Sequence, residues 1–236
     1  MKKCVACFVL VLAGLGALRV AMGGAGVALP RALVVSDLGT GQKTTVARME
    51  AHGWTVGTIT ALELLEASGS ELRAQWGVIW ILPGSDYDLI RPLVESGGAG
   101  GPLEAFLEAG GVVVMVGLGD TQFRIDLAPG GLDSESQENA GPTTIAEPNH
   151  PFIAGSKLGG TDLTSADLDP NGTGGDGCLL NPPPDSNVVD IAVNSYGTNL
   201  CEYQLGTGRV LVSRLDLLSE ACLENLLLYL EQIVKP

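Results

Sequence analysis

At 236 residues, with 45% apolar and only 17% charged side chains, the chain is long enough for one sizeable domain with a real core and too apolar to be disordered. Its 27 acidic residues against 13 basic ones give a net charge of −14, which disfavours nucleic acid and anionic membrane surfaces as partners.

The opening "MKKCVACFVLVLAGLGALR" sets Lys2 and Lys3 before an apolar run from Cys4 to Leu18, then Arg19 and small residues as far as Ala28. That order is expected of a secretory signal peptide over residues 1–28, cleaved near Ala28. The run is too short and too rich in Gly and Ala for a membrane span, so none is expected after cleavage. Loss of Lys2, Lys3 and Arg19 leaves 10 basic residues against 27 acidic, a mature charge near −17. The expected location is the periplasm or the extracellular space.

From residue 29 to 236 the pattern predicts a single α/β domain. "ALVVS" at 32–36 reads as a first strand and about Lys43 to His52 as a first helix closed by Gly53. "TVGTI" follows as a second strand. "TALELLEASGSELRAQW" reads as one or two short helices, with Thr60 as N-cap and Glu63 completing a capping box. The continuous apolar run "GVIWILPG" is expected of a central strand buried on both faces. Pro102 to Ala109 then predicts a helix, and Gly110-Gly111 turn the chain into the strand "VVVMV". This alternation of strand and helix predicts a three-layer α/β/α, flavodoxin-like, mostly parallel sheet.

Residues of about 120–187 are rich in Gly, Pro, Asn and Asp, a long insertion that carries function or forms its own small substructure. "VVDIAV", "LCEYQL" and "RVLVSRL" are three further strand candidates. The closing "SEACLENLLLYLEQIV" puts Cys222, Leu226, Leu230 and Ile233 on one helical stripe beside Leu223 and Leu227, a helix that must lie on the sheet.

Five segments taken in order, "MEAHGWTV", "WGVIWILPG", "LEAFLEAGGVVVMVG", "EPNHPFIAG" and "GTGRVLVSRLD", resemble the class I glutamine amidotransferase-like superfamily in its exported bacterial form. The resemblance implies that fold and an elbow after the fourth strand. Amidotransferases of the superfamily place a Cys at the elbow and a His-x-Glu later in the chain. Here those places read Gly117-Leu118-Gly119 and Arg214-Leu215-Asp216, so the nucleophile and the base are absent from the sequence and no glutaminase residues carry over.

The other candidates are few. His52 reads as a helix-terminal residue and His150, in "NHP", as a turn residue with a minor catalytic alternative. "SDLGTGQKTT" fails the phosphate-loop spacing because Gln42 separates Gly41 from Lys43. "DLDPNGTGGDGC" sets Asp167, Asp169 and Asn171 at alternate positions before Gly172, as in a calcium loop, with Asp176 as a further oxygen donor. The twelfth position is Cys178 in place of Glu, so an Asx-rich turn without metal is the competing reading. Calcium is the one candidate ion, and no organic cofactor is expected.

In an oxidising compartment Cys178 and Cys201 are expected to bridge, with Cys222 a buried free thiol on the last helix. Asp37, Ser85, Asp86, Asp120 and Gln122 stand just beyond strand ends, where an open α/β sheet forms its crevice. They are the ligand-binding candidates, for a neutral polar ligand or a protein partner. The sequence therefore points to an exported, non-catalytic binding or structural module. Its alternatives are a hydrolase using unusual carboxylate or His chemistry and a calcium-stabilised surface adhesion module.

Overall fold

A computed structural model describes residues 30–35, 42–82, 101–117, 125–137, 139–184, 186–217 and 219–234. The leader-like segment and the five crevice candidates Asp37, Ser85, Asp86, Asp120 and Gln122 lie outside the described residues.

Strand β1 (Arg31–Val35) leads to helix α1 (Gln42–Ala51) and strand β2 (Thr55–Ile59). Two short helices follow, α2 (Ala61–Glu66) and α3 (Gly69–Gln75). The expected capping box starts α2: Glu63 N donates to Thr60 Oγ1 at 3.2 Å and Thr60 N to Glu63 Oε2 at 2.9 Å. Strand β3 (Val78–Ile81), helix α4 (Pro102–Glu108) and strand β4 (Val112–Met115) match the expected order. Gly110 sits at φ +85°, the left-handed turn that redirects the chain from α4 into β4.

The insertion contains strands β5 (Ile125–Ala128), β6 (Leu132–Ser136), β7 (Thr144–Ile145) and β8 (Gly177–Leu180), with helix α5 (Ser165–Leu168). The chain ends with β9 (Val189–Asn194), β10 (Gly197–Leu205), β11 (Gly208–Ser213) and helix α6 (Glu220–Ile233).

Eight strands form one sheet in the order β2-β1-β3-β4-β11-β10-β9-β7, and β5-β6-β8 form a second, antiparallel sheet. The pairs from β2 through β11 are parallel, and β11, β10, β9 and β7 continue antiparallel. This is the mostly parallel, flavodoxin-like three-layer α/β/α arrangement expected from the sequence. Within the insertion β5, β6 and β8 form a small sheet of their own, while β7 joins the main sheet beside β9.

Alternation along each central strand divides the core in two. Val34, Trp80 and Val114 face α1 and α6, joining Met49, Leu226 and Leu230. Leu33, Ile79 and Val113 face the opposite way, joining Leu64, Leu72, Phe106 and the insertion residues Leu132 and Leu179. The small sheet thus serves as part of one covering layer. On α6, Cys222, Leu223, Leu226, Leu227 and Leu230 are all buried, as the stripe requires.

His52, just past α1, bonds Glu224 on α6 at 2.8 Å, and Trp54 Nε1 donates to Glu231 at 2.9 Å. Both link the end of α1 to α6, a contact that the helix-terminal reading of His52 did not include.

The Cys178 to Cys201 bridge is not formed, a correction to the sequence reading: Cys178, Cys201 and Cys222 are all buried and none is in a disulfide. Strand alternation explains the difference. Leu179 shares a core cluster with Cys201, so its neighbour Cys178 faces the other side of β8. Burial, followed by the charges of Asp190 and Glu202, pushes the Cys201 thiol up to about 12, which keeps it unreactive. Cys222 is buried as expected and donates to the Asp167 carbonyl.

Candidate functional site

The carboxyl ends of β4 and β11 lie side by side. Gly117, at φ +70°, donates its N–H to the Leu215 carbonyl at 3.0 Å, so this glycine and the Arg214-Leu215-Asp216 segment are neighbours. This is where an open α/β sheet forms its crevice.

What fills the β11 side is Arg214, only 2% exposed. Its Nε donates to the Gly175 carbonyl at 2.9 Å and its Nη2 to the Asp176 carbonyl at 2.9 Å. Nη2 also reaches Ser136 Oγ at 3.3 Å, and Nη1 donates to Ser134 Oγ. A Cβ at Gly175 would meet Arg214 Cβ at 2.9 Å. One at Gly177 would strike the Glu135 carbonyl and then Arg214 Cζ at 2.7 Å, so the β6 backbone requires that glycine first and the arginine second.

The calcium-like loop is held by its own side chains. Asp169 Oδ2 accepts from Thr143 N at 3.0 Å and Gly174 N at 2.8 Å, while Oδ1 accepts from Thr173 N at 3.1 Å. Asp167 instead caps α5, accepting from Thr164 N at 2.7 Å and Oγ1 at 2.6 Å. Those bonds, the hydroxyl's first, hold its carboxyl below the usual range. Asn171 is exposed, and Asp176 sits at φ +49° with its carbonyl turned to Arg214. Among the described residues no three His, Cys, Asp or Glu side chains converge as metal ligands. Asn194 completes the frame, its Nδ2 donating to the carbonyls of Gly174 at 2.7 Å and Gly177 at 2.5 Å.

A second polar group lies on the α6 face of the sheet, unsignalled in the sequence. Glu202 on β10 accepts from Arg209 Nη1 at 2.7 Å and from the Tyr229 hydroxyl, and His150 Nε2 stands 3.6 Å from its Oε2. His150 Nδ1 accepts from Phe152 N at 3.3 Å, and its ring meets Tyr229 edge-on at 5.0 Å. Burial alone would raise the Glu202 carboxyl. The bonds and charges of His150, Tyr229 and Arg209 outweigh it and hold the group below its ordinary value. Tyr229 is pushed well up, chiefly by burial and by the Glu202 charge, so it stays a hydrogen-bond donor. His150, the minor catalytic alternative, is thus packed into an internal network with no Ser or Cys among the partners that its bonds show.

Neither the protein-family models nor the curated proteins include a match to this sequence. Solved structures do match. A cytoplasmic protein from Salmonella typhimurium aligns over 86% of this chain and 98% of its own, with 12% identity and a TM-score of 0.52. A second cytoplasmic protein from Salmonella typhimurium LT2 aligns over 86% and 99%, with 10% identity and a TM-score of 0.51. A glutamine amidotransferase from Thermotoga maritima aligns over 88% and 99%, with 10% identity and a TM-score of 0.47. The likeness is one of fold. It places no residue of this chain in a catalytic role.

Proposed function

We propose that the chain is an exported, non-catalytic binding or structural module on a glutamine amidotransferase-like scaffold. One observation carries the reading. At the position that the sequence resemblance matches to the amidotransferase general base stands Arg214, whose guanidinium is committed to loop carbonyls and serine hydroxyls. A guanidinium stays protonated at any working pH and takes no proton from a nucleophile. The elbow sequence Gly117-Leu118-Gly119 offers no thiol or hydroxyl to activate. The leader-like segment 1–28 supports export, and a mature charge near −17 favours a neutral polar ligand or a protein over an anion.

Purified mature protein is expected to release no ammonia from glutamine above a no-protein control. Turnover that survives purification and is lost on one substitution would overturn the reading.

A further inference from the structure

We propose that the loop spanning residues 171–177 is a guanidinium site filled in cis by Arg214, which does there the work of the cation that a loop of this composition suggests. The proposal goes beyond the absence of glutaminase activity and stands or falls separately from it.

Three features carry it. First, Gly172, Gly174, Gly175 and Asp176 all have φ between +49° and +72°, and the carbonyls of Gly175 and Asp176 both accept from Arg214. Carbonyl oxygens gathered by such a turn are what a bound cation ordinarily satisfies.

Second, Asp169 collects three backbone N–H groups and Asp167 caps α5. The guanidinium meets a cage of neutral oxygens that includes two carbonyls and the hydroxyls of Ser134 and Ser136. A planar fork with five donors fits such a cage, because each oxygen meets a directed N–H. A buried positive charge in turn demands this many acceptors.

Third, the fit is steric as well as electrostatic, since a Cβ at Gly175 would meet Arg214 Cβ at 2.9 Å and one at Gly177, beyond its clash with the Glu135 carbonyl, would meet Arg214 Cζ at 2.7 Å. Ser134 and Ser136 belong to β6 and Gly177 opens β8, so one side chain fastens the small sheet to the end of β11. Arg214 is a positioning residue: it sets where the insertion sits at the carboxyl edge of the sheet.

The test uses the mature chain and its Arg214→Lys and Arg214→Ala variants, read by amide hydrogen exchange at residues 171–177 and 132–136. Lysine keeps the charge but loses the fork, so protection there is expected to fall more than about tenfold. Melting of the unsubstituted protein is expected to be the same in calcium and in chelator. In Arg214→Ala, methylguanidinium at about 20 mM is expected to restore part of the protection and methylammonium to restore none. Wild-type protection in Arg214→Lys, a calcium-dependent rise in Tm of the unsubstituted protein, or a folded Arg214→Ala that methylguanidinium does not rescue would each overturn the proposal. Should Arg214→Ala fail to fold, the lysine variant and the calcium comparison decide.

Discussion

Glu202→Gln is expected to destabilise the protein by about 2–3 kcal/mol at neutral pH, lowering Tm by roughly 5–10 °C. The carboxylate is nearly buried and serves three neighbours at once: Arg209, Tyr229 and His150. An amide cannot serve all three. Its oxygen suits either the arginine or the tyrosine, and its NH2 then faces another donor. The loss stays below that of a fully buried pair because half of the Arg209 side chain is exposed and regains water.

The same substitution should change the pH dependence in a definite direction. The folded protein holds Glu202 below its ordinary value, so the stability it contributes is complete above the unfolded carboxyl value of about 4.3. It is lost as pH falls through the lower, folded value. The unsubstituted protein should therefore lose stability through acid faster than Glu202→Gln, and the gap between them should close as Glu202 itself becomes protonated. Urea unfolding at about pH 7 and at several points below about pH 4.5 measures both effects. A gap that stays constant into acid would mean that Glu202 is not held as a charged group.

The parts of this molecule that the sequence announces are those where one chemical signal repeats locally. "VIWI" and "VVVM" are apolar at every position because both faces of β3 and β4 are covered, and no other element type of that length explains them. The stripe on α6 and the Thr60–Glu63 box are likewise written within one segment. Arg214 is the opposite case. In "RVLVSRLD" it reads as the polar end of a strand, and its burial depends on a loop and a small sheet brought over it from the preceding insertion. Its trace in the sequence is Gly175, where a Cβ would meet Arg214, since the missing side chain of Gly177 makes room first for the Glu135 carbonyl on β6. Glu202 was obscured differently. In "LCEYQL" alternation puts it opposite Cys201 and Tyr203, and nothing within that segment tells that α6 covers its face and brings Tyr229 to it. The cysteine pairing failed for the same reason, because the faces of β8 and β10 follow from the packing of the second sheet and not from spacing.

Asn225→Asp is expected to be among the most damaging single substitutions, costing about 4 kcal/mol or abolishing folding. Asn225 is fully buried on α6, and its Nδ2 donates to the carbonyls of Phe152 at 3.0 Å and Thr161 at 2.6 Å while Oδ1 accepts from Thr161 N at 3.3 Å. One amide thus closes both ends of the stretch that contains the 3-10 turn Gly155–Leu158. Backbone approaches so near that a Cβ at Gly155 or Gly160 would strike the amide, so no larger side chain can take its place there. Aspartate has the same shape and no donors. Its second oxygen would face the two carbonyls, an uncompensated charge in a dry site, or the carboxyl would take up a proton and satisfy only one of them. Asn225→Leu removes the charge problem but still leaves two carbonyls and an N–H without partners, and should cost about 3 kcal/mol. The ordering Asp worse than Leu separates a hydrogen-bonding role from simple space filling, for which the near-isosteric Asp would be the milder change. Tm and limited proteolysis between residues 152 and 163 report it directly: Phe152 and Ile153 are buried in the α6-side core, and loss of the clamp should expose the stretch between them and Leu163 to cleavage before the sheet unfolds. A variant Asn225→Asp that melts within about 2 °C of the unsubstituted protein would show that this segment is held by apolar burial alone.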